Sequence, residues 1–197
     1  MDKNQVIRFF DNLADSWDSM QVRNEAAIEA ILNFGGICDS AEVLDVACGT
    51  GVLFPDYAAR NVASVTGIDI SAEMLRTAKE KYPQVNLICG DAEIYDFKEK
   101  YDAVMIYNAF PHFPEPKKLI ENLSKALKTG GRLTVAHGIS AAEVEKCHEG
   151  PASEVSIQLP CKEELAELML PFISADVLIS DEKMYVVSGV KKPTDKT

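Results

Sequence analysis

The sequence has no uncharged apolar run of the roughly twenty residues needed to cross a bilayer, and no C-x-x-C pair. It also has no Lys/Arg cluster longer than Lys191-Lys192. The first absence argues against a membrane protein. The N-terminal Met-Asp-Lys-Asn-Gln has no basic region followed by an apolar core, so a secretory leader is not expected and the cytoplasm is the default. Five cysteines, an odd number without paired spacing, indicate neither a disulfide framework nor a zinc cluster; free thiols in a reducing compartment fit better. Cys147, His148 and Cys161 make a poor metal set, because adjacent side chains splay apart and a fourth ligand is missing. With 20 basic and 31 acidic residues the net charge is -11, which opposes the polyanionic surface of DNA or RNA. No internal repeat or low-complexity linker divides the 197 residues. One domain spanning 1–197 is expected, with residues 1–36 as a helical cover.

What is present centres on Val43-Leu-Asp-Val-Ala-Cys-Gly-Thr-Gly51. Val43, Leu44 and Val46 read as a strand buried on both faces. Asp45 interrupts them near the strand's carboxyl end, where an unpartnered buried charge is costly and a ligand or backbone donors could supply a partner. Gly49 and Gly51 permit a sharp turn and close approach to a ligand, with a helix from about Val52 to residue 60. A dinucleotide motif Gly-x-Gly-x-x-Gly would need glycine at position 54, where Phe54 stands, and a pyrophosphate would be repelled by Asp45.

Strand and helix patterns alternate from there. Strands are expected at 64–68, 85–89, 101–107 and 132–136, with a closing pair at 175–180 and 184–190. Helices are expected at 5–15, 24–33, 119–127, 141–147 and 161–170. The polar tail from Lys191 is expected to be loose. This is a doubly wound α/β sheet of seven strands, mostly parallel, with helices on both faces and an antiparallel end. Asp69, about twenty residues past the glycine turn and at a strand end, can accept both hydroxyls of a ribose, although an aspartate there can also cap the next helix. Asp91, at the third strand's end, can accept adenine amino hydrogens or simply belong to a Gly-Asp turn.

The run Asp45-x-Ala47-x-Gly49-x-Gly51 resembles motif I of the class I S-adenosylmethionine-dependent methyltransferases, with Ala47 in place of the first glycine. The resemblance, to the small-molecule, quinone-biosynthesis-like branch, runs from Phe9 to Lys191. It implies S-adenosyl-L-methionine as cofactor and S-adenosyl-L-homocysteine as product, and Asp45 would attract the sulfonium and ammonium charges. It places Ile70 and Met74 beside the adenine, the backbone of Ala92 at the ring, and the stretch from Asn108 to Phe113 facing the methyl group. Trp17 falls where related enzymes carry an aromatic residue over the cofactor; core filling is its alternative role. The Asn/Asp-Pro-Pro-aromatic run of enzymes that methylate DNA bases or glutamine amides is absent, which favours a small-molecule acceptor. His112 and His137, both at the carboxyl edge of the sheet, are the candidate bases, each with a structural role as its alternative. A non-catalytic S-adenosylmethionine-binding protein and a nucleotide-dependent oxidoreductase are the other readings of this fold.

Overall fold

The computed structural model describes residues 1–193. Three helices come first: α1 (Lys3–Leu13), the four-residue α2 (Trp17–Met20) and α3 (Glu25–Phe34). The chain then alternates through β1 (Glu42–Val46), α4 (Phe54–Ala59), β2 (Ser64–Asp69), α5 (Ala72–Lys81), β3 (Asn86–Cys89) and β4 (Tyr101–Tyr107). After α6 (Pro116–Ala126) and β5 (Leu127–His137) it closes with α7 (Ala141–Cys147), α8 (Lys162–Met169), β6 (Ile173–Ser180) and β7 (Tyr185–Lys191). One sheet holds all seven strands in the order β3-β2-β1-β4-β5-β7-β6, and β7 runs antiparallel to both neighbours.

The continuous apolar strands divide their side chains between two helical layers, as a sheet covered on both faces requires. In β4, Val104 and Ile106 join a core with Leu119, Ile120 and Leu123 of α6. Ala103, Met105 and Tyr107 join the opposite core with Ile28, Ile31 and Leu32 of α3 and with Tyr57 of α4. The cover is therefore narrower than residues 1–36, because α3 is part of a core layer. Progress from β1 through β2 to β3 goes one way and β4 to β5 the other, so the loops after β1 and β4 diverge and leave a crevice at their carboxyl ends.

Several boundaries differ from the sequence expectation for identifiable reasons. Residues 51–53 complete the glycine turn, so α4 starts at Phe54 rather than near Val52. Pro116 opens α6 three residues before the expected start at 119, since proline suits a first helical turn. Leu127 already pairs with Tyr101, a register shift follows, and Gly130 at φ 78° carries the bend into the rest of β5. Of the polar tail, residues 194–197 lie outside the described residues. Among the described residues no helix is long and apolar enough to cross a membrane.

Two glycines distinguish packing from backbone cost. A Cβ on Gly189 of β7 would lie 2.4 Å from the Ser174 carbonyl oxygen and 2.6 Å from Ala175 Cα, backbone atoms that cannot swing away. A Cβ on Gly130 would meet nothing within 4 Å, leaving only the left-handed backbone as a penalty. Gly189→Ala is expected to lose roughly 2–3 kcal/mol in urea unfolding, against about 1 kcal/mol for Gly130→Ala. Equal or reversed losses would contradict the β6–β7 register.

Candidate active site

β1 delivers the chain into a turn that needs three left-handed residues, Ala47 (φ 53°), Gly49 (φ 54°) and Gly51 (φ 85°). Each glycine has its own further constraint. A Cβ on Gly51 would lie 2.5 Å from the Phe54 ring, whereas a Cβ on Gly49 would face only Trp17 Nε1 at 4.0 Å. Gly51 is thus demanded by packing beneath the turn, and Gly49 keeps the backbone open towards the crevice. Ala47 adopts the conformation glycine would hold at a cost of roughly 1–2 kcal/mol, so its replacement of the first glycine is tolerated rather than free.

Asp69, at the end of β2, links this turn to the next helix. Its Oδ2 accepts from the Gly49 N–H at 2.8 Å and its Oδ1 from the Ser71 N–H at 2.8 Å. Ser71 does the capping of α5, accepting from Met74 N–H at 3.1 Å. Asp69 is therefore free of the cap role and retains lone pairs for further donors. Burial raises its pKa to about 6, against the lowering effect of its backbone donors.

Asp91, after β3, accepts from Glu93 N–H at 3.0 Å and binds Lys3 of α1. Lys3 also pairs with the buried Glu93, whose Oε1 accepts from Glu115 N–H at 2.7 Å. The Ala92 carbonyl is taken by Asn122 at 2.9 Å, so a main-chain contact to a ring would fall to its N–H. Asn108, left-handed at φ 54°, accepts from Gly138 N–H at 3.0 Å and joins the loops after β4 and β5.

These elements enclose a cleft with about 1110 Å³ of empty space, solvent at its mouth included. Trp17, Ala47, Gly49, Asp69, Ile70, Met74, Asp91, Ala92, Asn108 and His112 all line it. Three expected site residues do not. Gly51 lies under the turn. Asp45 alternates with Leu44 and Val46 and so points, like Val43, into the helical layer; it is 2% exposed and its Oδ2 has no hydrogen-bond partner. Tyr57 Oη, also unpartnered, is the polar group beside it, but the two do not meet in hydrogen-bond geometry. Burial raises the Asp45 pKa to about 8. His137 pairs in register with Tyr185 of β7, is 2% exposed, and has an unpartnered Nε2. Burial pushes its pKa down to about 3, and its place away from the cleft lining removes it as a base for a substrate there.

The cover supplies residues that the sequence did not single out. Phe10 stands edge-on to Trp17 at 5.6 Å and to His112 at 4.8 Å. Asp11 accepts from Ser71 Oγ at 2.6 Å, and Asp18 accepts from Thr50 Oγ1 at 2.5 Å and pairs with Lys81 at 2.7 Å. Arg23 lines the cleft but is occupied by Asp56 at 2.5 Å and the Val52 carbonyl at 2.6 Å. Lys3, Phe10 and Thr50 carried no signal beyond helical spacing or turn composition, because Asp91, His112 and Asp18, which they meet, lie 88, 102 and 32 positions away in the chain. Among the described residues no cluster of three or more His, Cys, Asp or Glu side chains is placed to hold a metal ion.

Known proteins resemble this chain in sequence and in fold. Residues 43–131 match the family model described as Methyltransferase domain. A demethylmenaquinone methyltransferase of Renibacterium salmoninarum is 33% identical over 141 residues, covering 68% of this chain and 58% of that protein. A ubiquinone biosynthesis O-methyltransferase of Coxiella burnetii is 29% identical over 147 residues, covering 68% and 61%. The chain thus spans less than two thirds of the length of either relative. The solved DhpI–SAH complex superposes with a TM-score of 0.76 over 97% of both chains at 20% identity, a likeness of fold.

The buried Asp45 makes a stability prediction. A folded-state pKa raised to about 8 favours the protonated carboxyl, so the associated stability is present at low pH and lost as pH rises through about 8. Wild type is expected to lose about 1 kcal/mol more than Asp45→Asn between pH 7 and pH 9 in denaturant titrations. Parallel profiles for the two proteins would show that Asp45 is ionised in the native state.

Proposed function

Since the chain belongs to the class I S-adenosylmethionine-dependent methyltransferases, we propose that it transfers the cofactor's methyl group to a small-molecule acceptor bound in the same cleft. The observation that carries this reading is the convergence of the open glycine turn, Asp69 and Asp91 on one crevice at the carboxyl ends of β1, β2 and β3. The residues suit the cofactor: Asp69 offers lone pairs to ribose hydroxyls, Asp91 to the adenine amino group, and Ile70 and Met74 a flat apolar wall. Gly49 leaves the backbone accessible to the amino-acid end, and Trp17 lies over the turn. Bound there, the cofactor supplies an electrophilic methyl group, and the protein's task is to hold an acceptor in line with it.

The acceptor would occupy the part of the cleft bounded by Phe10, Tyr107, His112 and Phe113, a surface of aromatic faces with one imidazole. A small planar acceptor fits that chemistry, and relatives named for menaquinone and ubiquinone biosynthesis support the same class. The net charge of -11 disfavours nucleic acid as acceptor. His112, half-buried and lowered to about 4, is neutral at physiological pH and able to take a proton from a hydroxyl or carbon acid. The five free cysteines suit a reducing, cytoplasmic setting. Family membership sets aside the oxidoreductase reading.

Isothermal calorimetry tests the cofactor assignment. S-adenosylhomocysteine is expected to bind at neutral pH and NAD not to bind. Asp69→Asn should weaken binding about ten- to a hundredfold, because bonds to an ionised acceptor contribute roughly 1.5–3 kcal/mol. Ligand hydroxyls donate to the ionised carboxylate, so wild-type affinity should fall as pH drops through about 6 and stay level in Asp69→Asn. NAD binding without a response to S-adenosylhomocysteine would overturn the assignment.

A further inference from the structure

The sequence contains three histidines, and the fold brings two of them edge to edge beside the cleft. His112 closes the short 3-10 helix Phe110–His112 that follows β4, and His148 terminates α7. The His112 Nδ1 lies 2.8 Å from the Val155 carbonyl oxygen and 3.2 Å from Ser156 Oγ. A carbonyl only accepts. Ser156 commits its hydrogen to the Ala152 carbonyl at 2.8 Å, so its oxygen can only accept as well. Nδ1 must therefore carry the hydrogen, and a neutral His112 holds its lone pair at Nε2. That nitrogen is 3.4 Å from Nε2 of His148, with the ring centroids 4.9 Å apart. Phe10 packs edge-on against His112 at 4.8 Å and shields it from water. His112 lines the main cleft; His148 lines a separate cavity with Glu145, Ser153, Ser156 and Gln158, and the two hollows share no lining residue. The histidine pair is thus a polar bridge between them.

We propose that His148 is a positioning residue that carries the acceptor's proton from His112 out of the active site. The inference rests on the methyl-transfer reading and specifies an acceptor whose nucleophilic atom X bears a hydrogen. The X–H bond breaks as the methyl group takes its place on X, and the proton bonds to His112 Nε2. It passes to Nε2 of His148 in that ring's Nδ1–H tautomer, which gives up the Nδ1 hydrogen to water in the second cavity and regains the tautomer by exchange. No oxidant or reductant is needed, and one proton is released per methyl transferred. Burial lowers the pKa of both rings, which keeps them neutral and ready to accept. The titratable groups around the pair are His137, which couples to both rings, Glu145 on the second cavity, and Lys3, Asp91 and Glu93 across the main cleft.

The test is nitrogen NMR of the full-length chain saturated with S-adenosylhomocysteine, where only three imidazoles contribute signals. His112 is expected as the Nδ1–H tautomer, and His112 and His148 are expected to take up their first proton at a common midpoint, each showing a fraction of it. In His148→Phe the His112 midpoint should fall by about one unit, because the half-buried ring loses the partner that shares its charge. His148→Gln, whose amide oxygen can accept from a protonated Nε2, should return it towards the wild-type value. A neighbour that merely packs there would leave the midpoint unchanged, and one that acts only by like charge would leave it raised on removal. An Nε2–H tautomer at His112, separate full titrations of the two rings, or an unchanged or raised midpoint in His148→Phe would each overturn the relay. Should His148→Phe fail to fold, the wild-type tautomer and titration decide alone. Failure of the wild-type chain to bind S-adenosylhomocysteine would overturn the proposed function instead, and calorimetry reports that separately.

Discussion

Two backbone N–H groups from different parts of the chain, Gly49 after β1 and Ser71 before α5, converge on the carboxylate of Asp69. This contact gives the glycine turn its position relative to the neighbouring strand, and most of the cleft follows from it. The turn contains three left-handed residues, one of them the non-glycine Ala47, and such backbone persists only where its surroundings over-determine it. Asp69 supplies one restraint from the side, and Phe54 supplies another by packing under Gly51. A carboxylate held in this way sits at a fixed height above the sheet. The same burial that makes it rigid raises its pKa to about 6, so the group that organises the turn also operates near its titration range.

Charge is distributed around this centre in a consistent pattern. An acidic chain must keep its carboxylates from repelling one another, and the N-terminal cover does so by exchanging partners with the body of the sheet. Lys3 reaches Asp91 and Glu93, Asp15 pairs with Arg76, and Asp18 pairs with Lys81. Exposed pairs of this kind contribute little singly, so α1 and α2 are fastened by number and by the Phe10–Trp17 contact rather than by any one bond. Lys3 occupies the carboxylate assigned to the adenine amino group, which places the beginning of the chain in direct competition or cooperation with the ligand. The arrangement suits an element that adjusts when the cleft fills.

The seven-stranded, mostly parallel sheet, its antiparallel end and the three carboxyl-end features of β1, β2 and β3 were legible in the sequence. Each depends on local signals: apolar runs, glycine punctuation and acids at strand ends. Asp45 and His137 were misplaced for one shared reason. Position near a strand's carboxyl end is readable, but the face that a residue presents is set by alternation and by the neighbour across the sheet. Asp45 shares its face with Val43 and turns towards Tyr57; His137 is opposite Tyr185 of an antiparallel strand whose register no local pattern reveals. Lys3, Thr50 and His148 were missed because their significance lies in contacts between segments distant in the chain. His148 looked like the neighbour of a cysteine, and only the approach of the 3-10 helix after β4 makes it a partner for His112.

The central claim is that S-adenosylhomocysteine lies across the glycine turn beneath the N-terminal cover. Trp17 is the only tryptophan, and its Nε1 is 4.0 Å from where a Cβ on Gly49 would stand. Its emission therefore reports on the ligand's path without a label. Titration with S-adenosylhomocysteine is predicted to give a saturable change in intensity or wavelength whose midpoint equals the calorimetric dissociation constant. An unchanged emission at ligand concentrations where calorimetry shows full occupancy would contradict the account, because the ligand would then be bound away from the turn.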